Sequence, residues 1–372
     1  MKICVFLPTL SIGGAEKLHI NLIQNWLADN HSVTIITLFK SFSEIDASSL
    51  LPTGCNHLKF DLQNYKRSIF KIIKIFRSHR FQITLVPMWP LTCIAIMSWI
   101  IGGKPGKLFI SEHTNISASH KIEIKSPLWI IKLSIKIFYR FATGIIAVSD
   151  GVKEDIQSLG GFKNYNLQVI YNPVARDLNN FQPEMIKKYS KELWLDDFKY
   201  KILAVGTLKL QKNFSLLIES FASMDKRYLE NSQLIILGDG PLRNELQLKI
   251  DNCGLESQVI LCGNVVNPYP WFQSADLFVL SSAWEGFGNV LVEALESRTP
   301  VVSTNCKSGP AEILQDGKFG LLVPVNDKFA LSAAMQKSLG SEHDLDSLQN
   351  RAKDFSISKI SKQYIDFFLS SV

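Results

Sequence analysis

Short apolar runs alternate with helix-patterned stretches along this chain, and the alternation breaks once and then restarts. Ahead of the break, "KICVFLP", "SVTIITL", "ITLVPMW", "KLFISEH", "TGIIAVS" and "LQVIYNPV" read as six strands. After the first of them, residues 15–30 set Leu18, Leu22, Ile23, Trp26 and Leu27 at helical spacing. Strands separated by helices of roughly 10–15 residues make βαβ units and a parallel sheet. The break is a polar, charged stretch at 176–199. Beyond it "KILAVGT", "QLIILGDG", "VILCGNV", "LFVLSS", "PVVSTN" and "GLLVPV" are again separated by helical stretches. The sequence therefore predicts an α/β protein of two Rossmann-like, doubly wound parallel-sheet domains, 1–175 and 176–355, facing a central cleft. A terminal helix within about 356–372 is expected to fold back on the first domain. Open α/β sheets bind ligands at the carboxyl ends of their strands, so the strand-to-helix turns are where chemistry is sought.

Composition removes several classes of function. At 372 residues, 46% of them hydrophobic, the chain has apolar material for two cores. Its longest apolar stretch, "LTCIAIMSWII", has 11 residues, and a spanning helix needs about 20. "MKICVFLPTL" lacks a small-residue cleavage site and reads as a first buried strand rather than a signal peptide. Six scattered cysteines without a C-x-x-C pair argue against a zinc site and a disulfide framework; they read as reduced thiols of a cytoplasmic protein.

Charge is divided unevenly. Residues 1–175 carry 19 Lys and Arg against 10 Asp and Glu, and the remainder 21 against 24. Within 59–140 the counts are 14 against 3. A basic half implies an anionic partner: nucleic acid, anionic lipid or a nucleotide sugar. A nucleic-acid binder would interleave basic residues with exposed aromatics or carry a known motif, and none is found. "KSPLWIIKLSIKIFYRFATG" sets Lys132, Lys136 and Arg140 four apart in an apolar segment. That is either an interfacial helix with a basic stripe or a core helix with one solvated face; the local charge favours contact with a membrane surface through the basic half.

The stretch "SSAWEGFGNVLVEALE" at 281–296 carries the strongest chemical signal. A buried strand, "DLFVLSS", turns there into a helix with Val290, Leu291, Ala294 and Leu295 at helical spacing. Glu285 lies in the turn and Glu293 along the helix. Gly286 and Gly288, flanking Phe287, allow a ligand close to the backbone. The amides from Gly286 through Asn289 to Val290 make a helix N-terminus, a natural phosphate site, and a carboxylate further along suits sugar hydroxyls. The plainer reading makes Glu285 a first-turn dipole acid and Glu293 a surface residue. "VGTLKLQKNF" is a second such turn, with Lys209 and Lys212 at its tip; they hold a diphosphate as point charges or belong to a solvated basic loop. It is not a Walker A loop. "LPTLSIGGAEK" offers Gly13 and Gly14 to an anionic group but lacks G-x-G-x-x-G. "ILGDGPL" reads as a plain turn. His113, just past "KLFISE", is either structural or aimed at the cleft, and Glu112 beside it reads as a bystander.

Together these stretches resemble a known family. "EGFGNVLVEA" has the E-x7-E signature of retaining glycosyltransferases of family 4. "GGAEK", "VIYNPV", "VGTLKLQKNF", "LGDGPLRNEL", "NPYPWFQSADLFVLSSAWEGFGNVLVEAL" and "TPVVSTNCKSGPAEIL" follow in the family's order. The flavour is that of lipopolysaccharide core, O-antigen and capsule synthesis. The resemblance implies the GT-B architecture and a role for each residue. Glu293 would bind ribose hydroxyls and Glu285 the transferred sugar. The Phe287–Val290 amides would hold sugar hydroxyls and phosphate, and Lys212 the leaving diphosphate. Gly13 and Gly14 would line the diphosphate and acceptor side, and His113 would lie near the donor sugar. Where the family often has arginine this chain has Thr207, and Lys209 would supply the missing charge.

The expected activity is metal-independent, retaining transfer of a hexose or N-acetylhexosamine from a nucleotide sugar, UDP-linked by resemblance, to a lipid-linked saccharide. No cofactor or metal is expected: the one D-x-D, at Asp344 and Asp346, sits in the terminal tail. The expected location is the cytoplasmic face of the plasma membrane, as a peripheral protein. The alternatives are a nucleotide-sugar epimerase of the same architecture and an inactive sugar-nucleotide or membrane-binding subunit.

Overall fold

Residues 1–10, 14–39, 51–62, 65–124, 126–161, 165–176, 183–195 and 198–371 are described by a computed structural model. Seven strands form the first sheet: β1 (Lys2–Leu7), β2 (Ser32–Phe39), β3 (Asn56–Leu62), β4 (Ile83–Pro87), β5 (Lys107–Glu112), β6 (Gly144–Ala147) and β7 (Leu167–Val169). Six form the second: β8 (Tyr200–Val205), β9 (Ser232–Leu237), β10 (Val259–Gly263), β11 (Leu277–Leu280), β12 (Val301–Thr304) and β13 (Leu321–Val323). Their orders are β3-β2-β1-β4-β5-β6-β7 and β10-β9-β8-β11-β12-β13. Every pairing is parallel. This is the doubly wound order, which reverses at β1/β4 in one sheet and at β8/β11 in the other.

Two internal strands, β4 and β9, are buried from end to end. A parallel strand covered by helices on both faces needs such a continuous apolar run, and this made most strands legible. The exception is β3, "NHLKFDL", which pairs on one side only, with β2. An edge strand keeps polar residues, so a search for apolar runs passes over it.

The chain divides into one unit of Met1–Pro173 with Ile357–Val372 and a second of Val174–Ser356. The terminal helix Ile357–Ser370 belongs to the first unit because its aromatic face has its partners there. Tyr364 and Phe368 pack on Trp26, with ring centroids 6.1 and 5.9 Å away, and Phe368 lies 4.7 Å from Phe109. Gly144 has room for nothing more: a Cβ there would lie 2.7 Å from the Phe367 ring. Lys107 reaches across to donate to the carbonyls of Phe368 and Ser371, where the dipole of a helix end favours a cation.

Candidate active site

In the second sheet the order reverses between β8 and β11, and open α/β sheets take their ligands at the carboxyl ends of the strands at such a reversal. The segments that leave those two ends carry Lys212 and Glu285. Lys212 closes the short helical turn Leu210–Lys212 after β8, and Glu285 lies in the turn after β11. The lysine Nζ stands 2.6 Å from Glu285 Oε1, with side chains only 14% and 7% exposed. Two charges this far out of water persist only when paired and hydrogen-bonded, and both are. Ser282 Oγ donates to the same carboxylate oxygen at 2.6 Å. Ser281 Oγ donates to the Lys212 carbonyl at 2.8 Å. The Ala283 N–H donates to the Gln211 carbonyl at 2.8 Å, and Gln211 Nε2 donates back to the Trp284 carbonyl at 2.9 Å. The two segments are thus laced together beneath the ion pair. Gly206 lets the lysine stem pass, since a Cβ would sit 3.0 Å from Lys212 Cε.

The helix Asn289–Glu296 begins beyond Gly288, whose φ of 100° places it in the left-handed region, and no side chain caps its N-terminus. Gly309 carries the next loop over that turn: a Cβ at 309 would lie 1.8 Å from the Phe287 carbonyl oxygen. Gly286, Phe287 and Gly288 are buried, while Asn289 and Val290 are partly exposed. The Phe287 ring is core, packed 5.3 Å from Phe355, so only its main chain is offered to a ligand.

Glu293 is buried, which overturns its reading as a surface residue. Glu285 lies before the helix with its carboxylate engaged by Lys212 and Ser282, so it is not a first-turn dipole acid either. One turn on from Glu293, the buried Glu296 accepts from the Tyr269 hydroxyl at 2.9 Å and from the Arg176 N–H at 2.5 Å. Burial pushes the Tyr269 phenol well above its usual range, and Glu293 and Glu296 add to the shift. Glu296 went unread in the sequence, although its three-residue spacing from Glu293 places the two on one helix face.

The remaining candidates are less gathered. Thr207 is exposed and Lys209 half-buried. Lys209 heads the turn, its N–H donating to the Thr207 carbonyl at 2.8 Å, and the cation brought against Glu285 is Lys212. Gly14 opens the helix Gly14–Ala28; Gly13 lies outside the described residues. The "GDG" turn does more than turn: a Cβ on Gly238 would lie 2.1 Å from the Gly206 carbonyl oxygen, so it seats the Lys212 loop. All six cysteines are free, with Cys4, Cys93 and Cys306 buried. Burial first, then the nearby Glu285, pushes the Cys306 thiol up to about 12, which leaves it inert.

His113 belongs to the first unit. Its Nε2 is 2.9 Å from Ser111 Oγ, and its ring meets that of His19 edge-on at 5.2 Å. Burial holds its pKa well below the usual value, His19 pushes the same way, and Asn172 opposes. The ring is therefore neutral at physiological pH. Glu112 is no bystander. It is fully buried and accepts from the Tyr139 hydroxyl, from Thr92 Oγ1 at 3.3 Å and from the Trp89 N–H at 3.2 Å.

A cavity of about 720 Å³ lined by Lys199, Asp276, Arg298 and His343 opens at the amino ends of β8, β11 and β12. That is the end of the sheet away from Lys212 and Glu285. Volume alone does not mark the site; strand polarity and buried charge do.

Fold and sequence comparisons converge on one class. Residues 12–178 match the family described as Glycosyltransferase Family 4, and 185–355 that described as Glycosyl transferases group 1. The chain belongs to the family 4 glycosyltransferases of GT-B fold. Over 99% of both chains it is 29% identical to the N-acetylgalactosamine-N,N'-diacetylbacillosaminyl-diphospho-undecaprenol 4-alpha-N-acetylgalactosaminyltransferase of Campylobacter jejuni. A second N-acetylgalactosaminyltransferase of that organism, whose named acceptor is also PP-undecaprenol-linked, is 27% identical over 98% of this chain and 97% of its own. Among solved structures, Anabaena HepE in complex with UDP superposes with a TM-score of 0.83 at 20% identity, covering all of both chains. The lipopolysaccharide outer core galactosyltransferase WaaB does so at 0.76, also 20% identical and covering all of both chains.

Proposed function

We propose that this glycosyltransferase moves a hexose or N-acetylhexosamine, with retention of configuration, from a UDP-sugar to a lipid-linked saccharide in cell-surface polysaccharide synthesis. The observation that carries the reading is the buried Lys212–Glu285 pair at the β8/β11 reversal. Without donor, each charge is the other's partner. With donor, the lysine turns to the diphosphate and Glu285 to hydroxyls of the transferred sugar. The amides at the head of Asn289–Glu296 face the same anion, and Glu293 takes the ribose hydroxyls. The bond from C1 to the phosphate oxygen breaks through an oxocarbenium-like state. Positive groups fixed in advance stabilise the leaving charge. The acceptor oxygen bonds to C1 on the face the phosphate leaves, and its proton passes to that phosphate. Lys212 and the helix N-terminus supply the positive charge that a metal would otherwise bring. The polyprenyl-diphosphate acceptors named for the Campylobacter relatives support a lipid-linked acceptor and an N-acetylhexosamine.

Incubation with a panel of nucleotide sugars and a polyprenyl-diphosphate saccharide, with the product anomer read by NMR, tests this. Retention with a UDP-sugar, undiminished by EDTA, is expected. An inverted product, or activity lost to EDTA and restored by Mn²⁺, contradicts it. Donor conversion without acceptor would point to an epimerase instead.

A further inference from the structure

The helix Leu128–Phe138, continued by the turn Tyr139–Phe141, lies between β5 and β6 and buries Ile131, Ile135 and Tyr139. At about 100° per residue, Leu133 lies about 200° round from Ile131 and so marks the outward pole. On a surface helix that pole is normally the most polar position. Here it is apolar: Trp129 is 66% exposed and Leu133 50%, with Ile130, Ile137 and Phe141 exposed beside them. Clustered exposed apolar side chains mark an interaction surface. The helix is firmly seated, through the Trp89 Nε1–H donating to Ser134 Oγ at 3.0 Å and the Tyr139 hydroxyl donating to Glu112. The outward stripe is therefore not held out by loose packing.

What covers the stripe follows from its border. Lys132 and Lys136 fall at about 100° and 140° from Ile131, along one edge of the apolar face, and both are exposed, as is Arg140. Lys104 Nζ stands 5.9 Å from the Phe141 ring centroid and extends the basic rim. No Asp or Glu occurs from Ile124 to Ser149. An apolar stripe with Lys132, Lys136 and Lys104 along its rim suits an interface that is apolar inside and anionic at its rim, with lysine stems laid along the apolar surface and heads kept in water. We infer that this face docks on an anionic phospholipid bilayer, the helix lying in the interface plane with Trp129, Leu133 and Ile137 at the headgroup–acyl boundary. No helix among the described residues is long and apolar enough to cross a membrane. The docked face gives the proposed lipid-linked acceptor its meeting place. Only that last link rests on the proposed function, because vesicle binding is read without turnover.

The test is co-sedimentation of the full chain with phosphatidylcholine vesicles, with and without phosphatidylglycerol. The parent should bind the mixed vesicles, and less tightly at high salt. Trp129→Gln with Leu133→Gln should weaken binding at least about tenfold with an unchanged thermal melt, since both positions are exposed. Lys132→Gln with Lys136→Gln should weaken it about fivefold per charge on mixed vesicles and leave binding to phosphatidylcholine alone unchanged. The inference is overturned if the parent binds neither vesicle, or if the Trp129 and Leu133 double variant binds as the parent does. It is also overturned if the stripe proves to join two copies, seen as a parent dimer that this variant dissociates while neither form binds vesicles. None of these results touches the transferase reading.

Discussion

Lys212 and Glu285 hold opposite charges 2.6 Å apart with little access to water, and each is costly without the other. Breaking one partner of such a pair typically costs about 3–5 kcal/mol, so a variant here needs its fold checked beside its activity. Glu293 is the cleaner probe of donor binding. Glu293→Ala should weaken the nucleotide by about 1.5–3 kcal/mol, roughly tenfold to a hundredfold by calorimetry; unchanged affinity would remove the ribose role. His113 is predicted to stay neutral, because burial and His19 both oppose its protonation. Its imidazole NMR shifts should not move between about pH 8 and the ordinary histidine value near 6.5. A titration in that window would contradict the buried ring. At this scale the sequence pointed to residues whose type suggests chemistry, Glu285, Glu293 and Lys212. It hid those whose role is conferred by distant neighbours. Ser282 matters for the carboxylate three residues on, Gly206 for the lysine stem laid over it, and Gly309 for the Phe287 carbonyl.

Among the elements, the outward-facing helix Leu128–Phe138 is tied to the sheet through one carboxyl. Glu112, at the end of β5, accepts from Tyr139 just beyond that helix and from Thr92 and the Trp89 main chain. Burial pushes its pKa up to about 7, against the pull of three hydrogen bonds, and Asp155 adds to the rise; Cys93 and Tyr139 are the other titratable neighbours. The folded chain therefore holds this proton more tightly than the unfolded chain. The contribution is fully present below the unfolded value of about 4.5 and is lost as pH rises through about 7, a loss of about 3 kcal/mol. Glu112→Gln should remove that slope from the denaturation midpoint between pH 4.5 and 7. It should also lower stability overall, because one of the three donors then faces an amide N–H. An unchanged slope would assign the pH dependence to other groups. None of this was legible, because a lone acid after a strand reads the same whether it is solvated or buried; Tyr139 and Thr92 lie far from it in sequence.

For the whole molecule, two doubly wound sheets were legible because fully buried parallel strands must be apolar throughout. The edge strand β3 was not, and neither were the aromatic contacts that fix the terminal helix. The chain completes its first unit only with its last residues, which pack Tyr364, Phe367 and Phe368 around Trp26 and Phe109. Phe368→Ala should cost about 3–5 kcal/mol and lower the melting of the first unit ahead of the second; a second unit that melts first would contradict the division. In the proposed reaction Lys212 acts on the leaving diphosphate rather than on nucleotide recognition. This role is tested most directly by single-turnover transfer from a UDP-sugar to a polyprenyl-diphosphate saccharide, comparing the parent with Lys212→Ala beside their affinities for UMP. Transfer should slow at least about a hundredfold, as for loss of one oxyanion donor, with UMP affinity nearly unchanged. Transfer at the parent rate, or an equal loss in both measurements, would contradict it.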